Sequence, residues 1–482
     1  MRRVGVCTAV LAAALCFSAP AQTIAMDPRV AAAVELTHTW LDASRAYDLI
    51  PGVSVAIVHD QELLYSRGLG YADVAAKRPA TASTIYSICS ISKLFTSVAV
   101  LRERDAGHLH LEDPVGKYLP WFKLKKTEGE GDITVEGLLT HASGLPRESD
   151  SPYWSPPDFR FPTHEQIVQK LSSQSPIYAP ETYFAYSNLG LTLAGEVVAA
   201  TSMTPYDQYV RANILEPLAL KSTTPEMPES ERGKRLATGY TALDRDGKRE
   251  PTPFFQVRGI APAAGFASTA EDLARFASWQ FRLLKKGGTE IVKATSLREM
   301  QRVHWVDPDF EMMRGLGFNV MRRDAKVFVG HDGACPGFRT ALVLMPAEEV
   351  GIAFLSNGMG VDSNAYAMDL YDIVAPAIRA AVKEPEKAKP IDPTLRRFAG
   401  TYSAQPWTGE AAVVPWEDGL ALLFLPTDEP VRDLIRLKRT GDNTFRRIRK
   451  DETLGEEVVF EMGTDGRAVR FTRHSNPHER IR

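Results

Sequence analysis

Residues 86–95 read Tyr86-Ser87-Ile88-Cys89-Ser90-Ile91-Ser92-Lys93-Leu94-Phe95, a stretch that sets a serine three residues before a lysine and directly after a cysteine. A serine hydroxyl is a poor nucleophile at neutral pH and needs a neighbouring base. If a helix opens near Ser90, Lys93 lies one turn on along the same side, and its amine reaches the serine oxygen. The sequence supports such a helix from Lys93 to Ala106, with Leu94, Val98, Leu101 and Ala106 on roughly one face. Taken alone, S-x-x-K is a weak signal, because four-residue spacings recur by chance.

Two distant elements strengthen it. About 95 residues on, Tyr186-Ser187-Asn188 stands just before a helix expected over Leu189 to Ala200. A further 145 or so along, His331-Asp332-Gly333 ends a strand. Tyr-x-Asn offers a phenol that can relay a proton and an amide that can bind a substrate carbonyl. His-x-Gly offers a polar anchor and a glycine that lets substrate backbone pair with the strand edge.

With S-x-x-K, Y-x-N and [KH]-x-G in that order, the chain resembles the penicillin-recognising serine hydrolases: class C β-lactamases, D,D-carboxypeptidases, D-aminopeptidases and related esterases. The likeness extends through IPGVSVAIV, LEDPVGKYLPWF, ITVEGLLTHASGLP, NILEPLALKSTT, AAGFASTAEDLARF and GHDGACPGFR, and so covers roughly Val34 to Arg379. It implies that Ser90 is acylated and released by water, that Lys93 and Tyr186 share proton transfer, and that the backbone N–H groups of Ser90 and Ala334 form the oxyanion hole. Asn188 is implied to orient the substrate amide, with His331, Asp332 and Gly333 on the substrate's other side. Which of Lys93 and Tyr186 is the resting base stays open at this point.

The third element departs from the β-lactamase form, in which lysine and a hydroxyl residue precede the glycine. An unperturbed imidazole is mostly neutral near pH 7, and Asp332 repels a substrate carboxylate while favouring an amine. Both changes suit an esterase or D-aminopeptidase better than a dedicated penicillinase. Arg339, on the next strand, reads either as a carboxylate anchor or as a solvated strand arginine. The expected activity is acyl-enzyme hydrolysis of a D-amino-acid-containing peptide, amide or ester. A β-lactamase and a non-catalytic penicillin-binding sensor of cell-wall fragments are the alternatives.

The 482-residue chain is long enough for more than one core, and its 44% hydrophobic and 24% charged residues are ordinary for a globular protein. Residues 1–21 read as a secretory signal: Arg2 and Arg3, an apolar run from Val4 to Phe17, and small residues at Ala19-Pro20-Ala21. Leu15 before Cys16 argues against a lipoprotein anchor. Cleavage takes the net charge from −3 to about −5, which suggests neither a nucleic-acid nor a membrane partner, and the expected location is the periplasm or outside the cell. A small molecule or peptide is the expected substrate. Removing the signal leaves two cysteines, Cys89 and Cys335, both beside the motif residues. Their placement is similar to that in carbapenem-hydrolysing class A β-lactamases, a likeness that implies a Cys89–Cys335 disulfide; two buried thiols are the alternative.

The resemblance implies an α+β fold for residues 22–380: a β-lactamase/D,D-peptidase-like domain of antiparallel sheet with helices, plus a helical subdomain. Within it Val53 to Val58 and Leu63 to Tyr65 read as a hairpin, Ser268-Thr269-Ala270-Glu271 as a capping box opening a helix to Leu284, and Val327–Val329, Thr340–Leu344 and Val350–Leu355 as strands. Residues 381–393, AVKEPEKAKPIDP, read as a linker. Residues 394–482 carry Asp-Gly turns between short apolar runs and form a small antiparallel β domain, for which a barrel is one solution. No metal or cofactor is expected: His108-Leu109-His110 lacks the further ligand a zinc site needs, His141 reads as a packed loop residue, and no G-x-S-x-G elbow is present. Tyr153-Trp154, in a Pro-rich loop, reads as core or cleft wall.

Overall fold

In a computed structural model, which describes residues 23–125, 131–149, 154–310 and 312–482, the expected hairpin is the strand pair β1 (Gly52–His59) and β2 (Glu62–Asp73), preceded by α1 (Pro28–Tyr47). The signal stretch 1–21 and Tyr153 lie outside the described residues. The chain continues through α2 (Ser92–Asp105), α3 (Val135–Thr140), α4 (Asn188–Ser202) and α5 (Ala270–Lys286). It then returns as β3 (Asn319–Arg323), β4 (Lys326–Cys335), β5 (Phe338–Met345) and β6 (Val350–Ser356), before α6 (Ser363–Lys383). The order across the sheet is β2-β1-β6-β5-β4-β3, extended by short strands at Arg78–Pro79, Met313–Arg314 and Trp305–Val306. Every pairing is antiparallel.

Both faces of this sheet are covered, which is why β1 and β6 are apolar runs rather than alternating ones. One face packs on α2 and α5, where Phe95 stacks between Phe266 and Phe276 at centroid distances of 4.8 and 4.5 Å. The other packs on α1 and α6. α1 buries one broad face, Val30, Ala33, Leu36, Thr37, Trp40, Leu41 and Ser44, which includes two polar residues, while Ala31 and Ala46 are exposed on the other. That low contrast between the two faces hides it from a search for an apolar stripe.

Two local expectations shift. The cap of α5 lies one residue later than Ser268: Thr269 accepts from the Asp272 N–H at 3.2 Å, because Ser268 is extended and pairs with Tyr86. α6 runs to Lys383, two residues beyond the first position of the linker stretch, with Ala381 still buried, and stops before Pro385, which cannot continue it.

The C-terminal strands are β7 (Gly400–Ser403), β8 (Glu410–Trp416), β9 (Gly419–Leu425), β10 (Ile435–Arg439), β11 (Thr444–Ile448), β12 (Leu454–Met462), β13 (Ala468–Arg473) and β14 (Asn476–Glu479). They pair in sequence as one eight-stranded sheet. The ends meet where Thr401 donates to the Arg482 carbonyl at 3.0 Å and accepts from the Ile481 N–H at 2.8 Å, giving a nearly closed barrel around Phe398, Tyr402, Phe445, Phe460 and Phe471.

The pleat divides β8 and β9 between two cores. Ala411, Val413, Leu420 and Leu422 point into the barrel, while Ala412, Val414, Ala421 and Leu423 pack into the layer formed by α1 and α6. The barrel therefore lies on the α1 side of the main sheet, away from α2. Trp40 of α1 spans this contact: it is 2% exposed and its Nε1 donates to the Thr427 carbonyl at 3.0 Å. Trp40→Ala is expected to cost about 3–5 kcal/mol of stability and to open the 381–393 stretch to protease, checked by chemical denaturation and limited proteolysis.

Candidate active site

Ser90 sits in a 3-10 turn, Cys89–Ile91, that feeds directly into α2. The turn begins with Cys89 at φ +51°, a left-handed conformation that is uncommon for a non-glycine residue and is held here from several directions. Cys89 and Cys335 are joined in a disulfide with Cα atoms 5.7 Å apart, so the turn is fastened to the end of β4. Ser92 reinforces it by donating its hydroxyl to the Cys89 carbonyl and accepting from the Phe266 N–H. Gly333 is placed by the same close approach: a Cβ there would meet the Ile88 carbonyl oxygen at 2.4 Å and Thr340 Oγ1 at 2.2 Å. The glycine thus serves contact between β4 and the serine turn as well as the strand edge.

Tyr186-Ser187-Asn188 is shaped by residues 141–148. The Ala185 and Ser187 N–H groups donate to His141, at its carbonyl (2.8 Å) and its Nδ1 (3.1 Å). Ser187 Oγ donates to the Pro146 carbonyl (2.7 Å), and the Asn188 and Leu189 N–H groups donate to the Arg147 carbonyl (2.9 and 3.2 Å). Ser187 also caps α4, accepting from the Gly190 N–H. His141 is the packed loop residue expected: its ring stacks on Tyr186 at 4.4 Å, and burial holds its pKa well below the usual value, so it accepts as a neutral imidazole.

These elements converge on one hydroxyl. Lys93 Nζ lies 3.0 Å and Tyr186 OH 2.9 Å from Ser90 Oγ. The Lys93 side chain is fully buried, and its amine also donates to Asn188 Oδ1 and to the Ala263 carbonyl, both at 2.8 Å. Burial pulls the Lys93 pKa down to about 7, partly offset by the Glu148 carboxylate. Burial pushes Tyr186 up to about 12, so its phenol keeps its proton. A neutral amine has two N–H bonds and one lone pair. With Asn188 and Ala263 taking the two hydrogens, the lone pair faces Ser90, and the amine can accept the serine proton.

Glu148 and Arg147 are the residues that sequence reasoning missed; they lie just beyond the ASGLP segment it quoted. Glu148 Oε1 accepts from Asn188 Nδ2 at 2.6 Å and from Trp154 Nε1 at 2.7 Å. Holding Asn188 by its nitrogen turns its oxygen toward Lys93. Trp154 so reaches the site, and its ring packs edge-on against Phe161.

On the opposite wall, β3 pairs with β4 only as far as Gly330, so the outer edge of His331 to Cys335 carries no ladder partner from β3. The His331 ring is buried, its Nδ1 donates to the Asp332 carbonyl at 2.6 Å, and burial lowers its pKa to about 4. Asp332 Oδ1 accepts from Asn319 Nδ2 at 3.1 Å. Ala334 lies between Gly333 and the bridged Cys335, on the stretch fastened to the Ser90 turn. Arg339 turns elsewhere, its Nε donating to the Val361 carbonyl. His108 pairs with Glu103, and no cluster of potential metal ligands occurs among the described residues.

A hydroxyl shared by a buried amine and a phenol, at the helix end beside an antiparallel sheet, defines a serine-hydrolase fold. The chain belongs to the Beta-lactamase family, whose model matches residues 39–375. It is 27% identical over 376 residues to an Escherichia coli protein named beta-lactamase, covering 71% of this chain and 93% of that one. Among solved structures, a penicillin-binding protein homologue from Pyrococcus abyssi aligns over 92% of this chain and 99% of its own, with a TM-score of 0.62 and 24% identity. A D-stereospecific amidohydrolase from Streptomyces aligns over 73% of this chain and 99% of its own, with a TM-score of 0.57 and 22% identity.

Acyl transfer to Ser90 is expected to rise with pH through about 7, as Lys93 loses its proton, and to level off above, well below the Tyr186 range. Glu148→Gln removes a charge that favours the ammonium, so the rise should move to lower pH. The profile of kcat/KM for an activated ester checks both. Lys93→Ala is expected to lower kcat by at least ~10³-fold.

Proposed function

We propose that this chain is an exported serine hydrolase that forms an acyl-enzyme at Ser90 with a D-amino-acid-containing peptide, amide or ester. The observation that carries the reading is the pair of contacts on Ser90 Oγ, with a buried amine whose pKa is about 7 and with a protonated phenol. Lys93 takes the Ser90 proton as Oγ bonds to the substrate carbonyl carbon. The Ser90 and Ala334 N–H groups hold the oxyanion that forms. Tyr186 donates a proton to the departing amine or alcohol and recovers one from the Lys93 ammonium, which returns both groups to their starting state. Water then attacks the ester carbonyl, giving its proton back along the same path, and Ser90 leaves with it.

The substrate class is supported by the strand wall. His331 is neutral and Asp332 anionic where the β-lactamase form has a lysine and a hydroxyl, and an acid there suits a substrate amine. The amidohydrolase neighbour acts D-stereospecifically, as its description states. Export is supported by the signal-like residues 1–21 and by the disulfide, a bond that persists in oxidising compartments. Among the described residues no helix is long and apolar enough to cross a membrane.

A labelled fluorophosphonate is expected to modify Ser90, located by mass spectrometry of the digested protein. Label retained by Ser90→Ala would sink the assignment. Side-by-side rates on a D-alanyl p-nitroanilide, p-nitrophenyl butyrate and a chromogenic cephalosporin then rank the activities, with the cephalosporin expected last; its coming first would replace this reading with a β-lactamase.

A further inference from the structure

We propose that Arg147 is the carboxylate anchor of the acyl site, so that favoured acyl donors carry an anionic group on the side facing residues 141–148. The inference rests on the serine-hydrolase reading and narrows its substrate class.

Arg147 combines a fixed backbone with a free head. Its carbonyl accepts from both the Asn188 and the Leu189 N–H, so its Cα is fastened to the segment carrying Tyr186. Its guanidinium lies 5.0 Å from the centroid of the Tyr186 ring, whose hydroxyl contacts Ser90, yet the side chain is 67% exposed. Among the described residues the guanidinium makes no hydrogen bond. Its closest charged neighbour is Glu148, and the nearest approach is from Nε, at 3.7 Å. The two terminal nitrogens are farther still from that carboxylate. An arginine fork of this kind binds a carboxylate through two parallel N–H groups, which a solvated surface arginine elsewhere would have no ligand to use.

The surroundings leave this role vacant. On the strand wall His331 is uncharged, Asp332 is anionic and Arg339 is turned to the Val361 carbonyl. The Arg314 guanidinium is mostly buried, lies 4.8 Å from the Phe184 ring and donates to Asn319 Oδ1. Lys93 is buried and committed to Ser90, Asn188 and Ala263. Among the described residues Arg147 is thus the cation beside Tyr186 that remains open to solvent. Glu148 weakens it least through the terminal fork, since Glu148 Oε1 is engaged by Asn188 and Trp154.

The test uses matched alkyl fluorophosphonates, one ending in a carboxylate and one in a methyl, with the end group two to five carbons from phosphorus. Ser90 Oγ bonds phosphorus and fluoride leaves, so the second-order rate constant for Ser90 modification reads recognition without requiring turnover. At low ionic strength the carboxylate probe of the matching length should react about 10-fold faster than its methyl twin, the gain expected of one charge-assisted contact. That ratio should fall to about 1 in Arg147→Ala, whatever happens to the common rate, survive in part in Arg147→Lys, invert in Arg147→Glu and shrink with added salt. Equal rates at every chain length, or a preference that outlasts Arg147→Ala, would overturn the anchor while leaving the hydrolase reading intact. Failure of both probes to modify Ser90 would overturn both.

Discussion

A primary amine with no exposed surface must have its hydrogens placed by neighbours, and the site is built around that requirement at Lys93. Removing an ammonium from water is costly, so burial drives the group toward its neutral form. Asn188 Oδ1 and the Ala263 carbonyl each take one hydrogen, which leaves the lone pair aimed at Ser90 Oγ. Both acceptors are themselves fixed. Glu148 holds Asn188 by its nitrogen, and Ala263 sits in a turn tied to α2 through the Pro262 carbonyl, which accepts from Thr96 Oγ1 at 2.6 Å. Without Glu148, an Asn188 turned end for end would present N–H groups to the amine.

Position along the chain follows from the same need. The serine and lysine come from one helix end, so their separation is set by a single turn. The phenol and amide come from residues 186–188, which no regular element precedes; residues 185–189 are instead pinned by four backbone N–H groups and the Ser187 hydroxyl, which donate to His141, Pro146 and Arg147. The third wall, β4, is held by the Cys89–Cys335 bridge and by the absence of a side chain at Gly333. Three sources, three different kinds of fastening, and one hydroxyl at their meeting point account for why the motif residues are so far apart in sequence.

How much of this could be read from the chain depended on whether a residue acts through its type or through its neighbours. Ser90, Lys93 and Tyr186 were legible because their chemistry restricts them to few residue types at repeated spacings, whereas the Cys89–Cys335 pairing was implied by a resemblance alone. The C-terminal antiparallel β domain was legible from its Asp-Gly turns, and its closure toward a barrel awaited Thr401 meeting Ile481 and Arg482. α1 was missed because its two faces differ little in composition, with Thr37 and Ser44 on the buried one and Ala31 and Ala46 on the exposed one. Glu148 was missed for a different reason: a carboxylate two residues beyond a Gly-Leu-Pro turn carries no signal until the fold sets it against Asn188. The start of α5 moved because Ser268 had a strand partner in Tyr86, which local capping rules do not see.

The charges around Ser90 are better understood as a redistribution than as a loss. A strand that keeps a lysine at its first motif position places a cation on the sheet side of the nucleophile; here that position is a buried imidazole, neutral because burial outweighs the nearby Asp332 carboxylate. Asp332 itself is met by Asn319, and Arg314 lies behind through the same amide. The sheet wall is therefore anionic or neutral at its surface, and the cation exposed beside Tyr186 is on the helical wall, at Arg147. The Asp332 carboxylate by itself favours the protonated Lys93 amine, which cannot act as a base. Arg147 opposes that tendency, since a cation beside Tyr186 disfavours a second cation on Lys93. A polarity reversed across the cleft thus keeps the same proton-transfer apparatus usable near neutral pH, and what changes is the charge pattern a substrate must present to enter it.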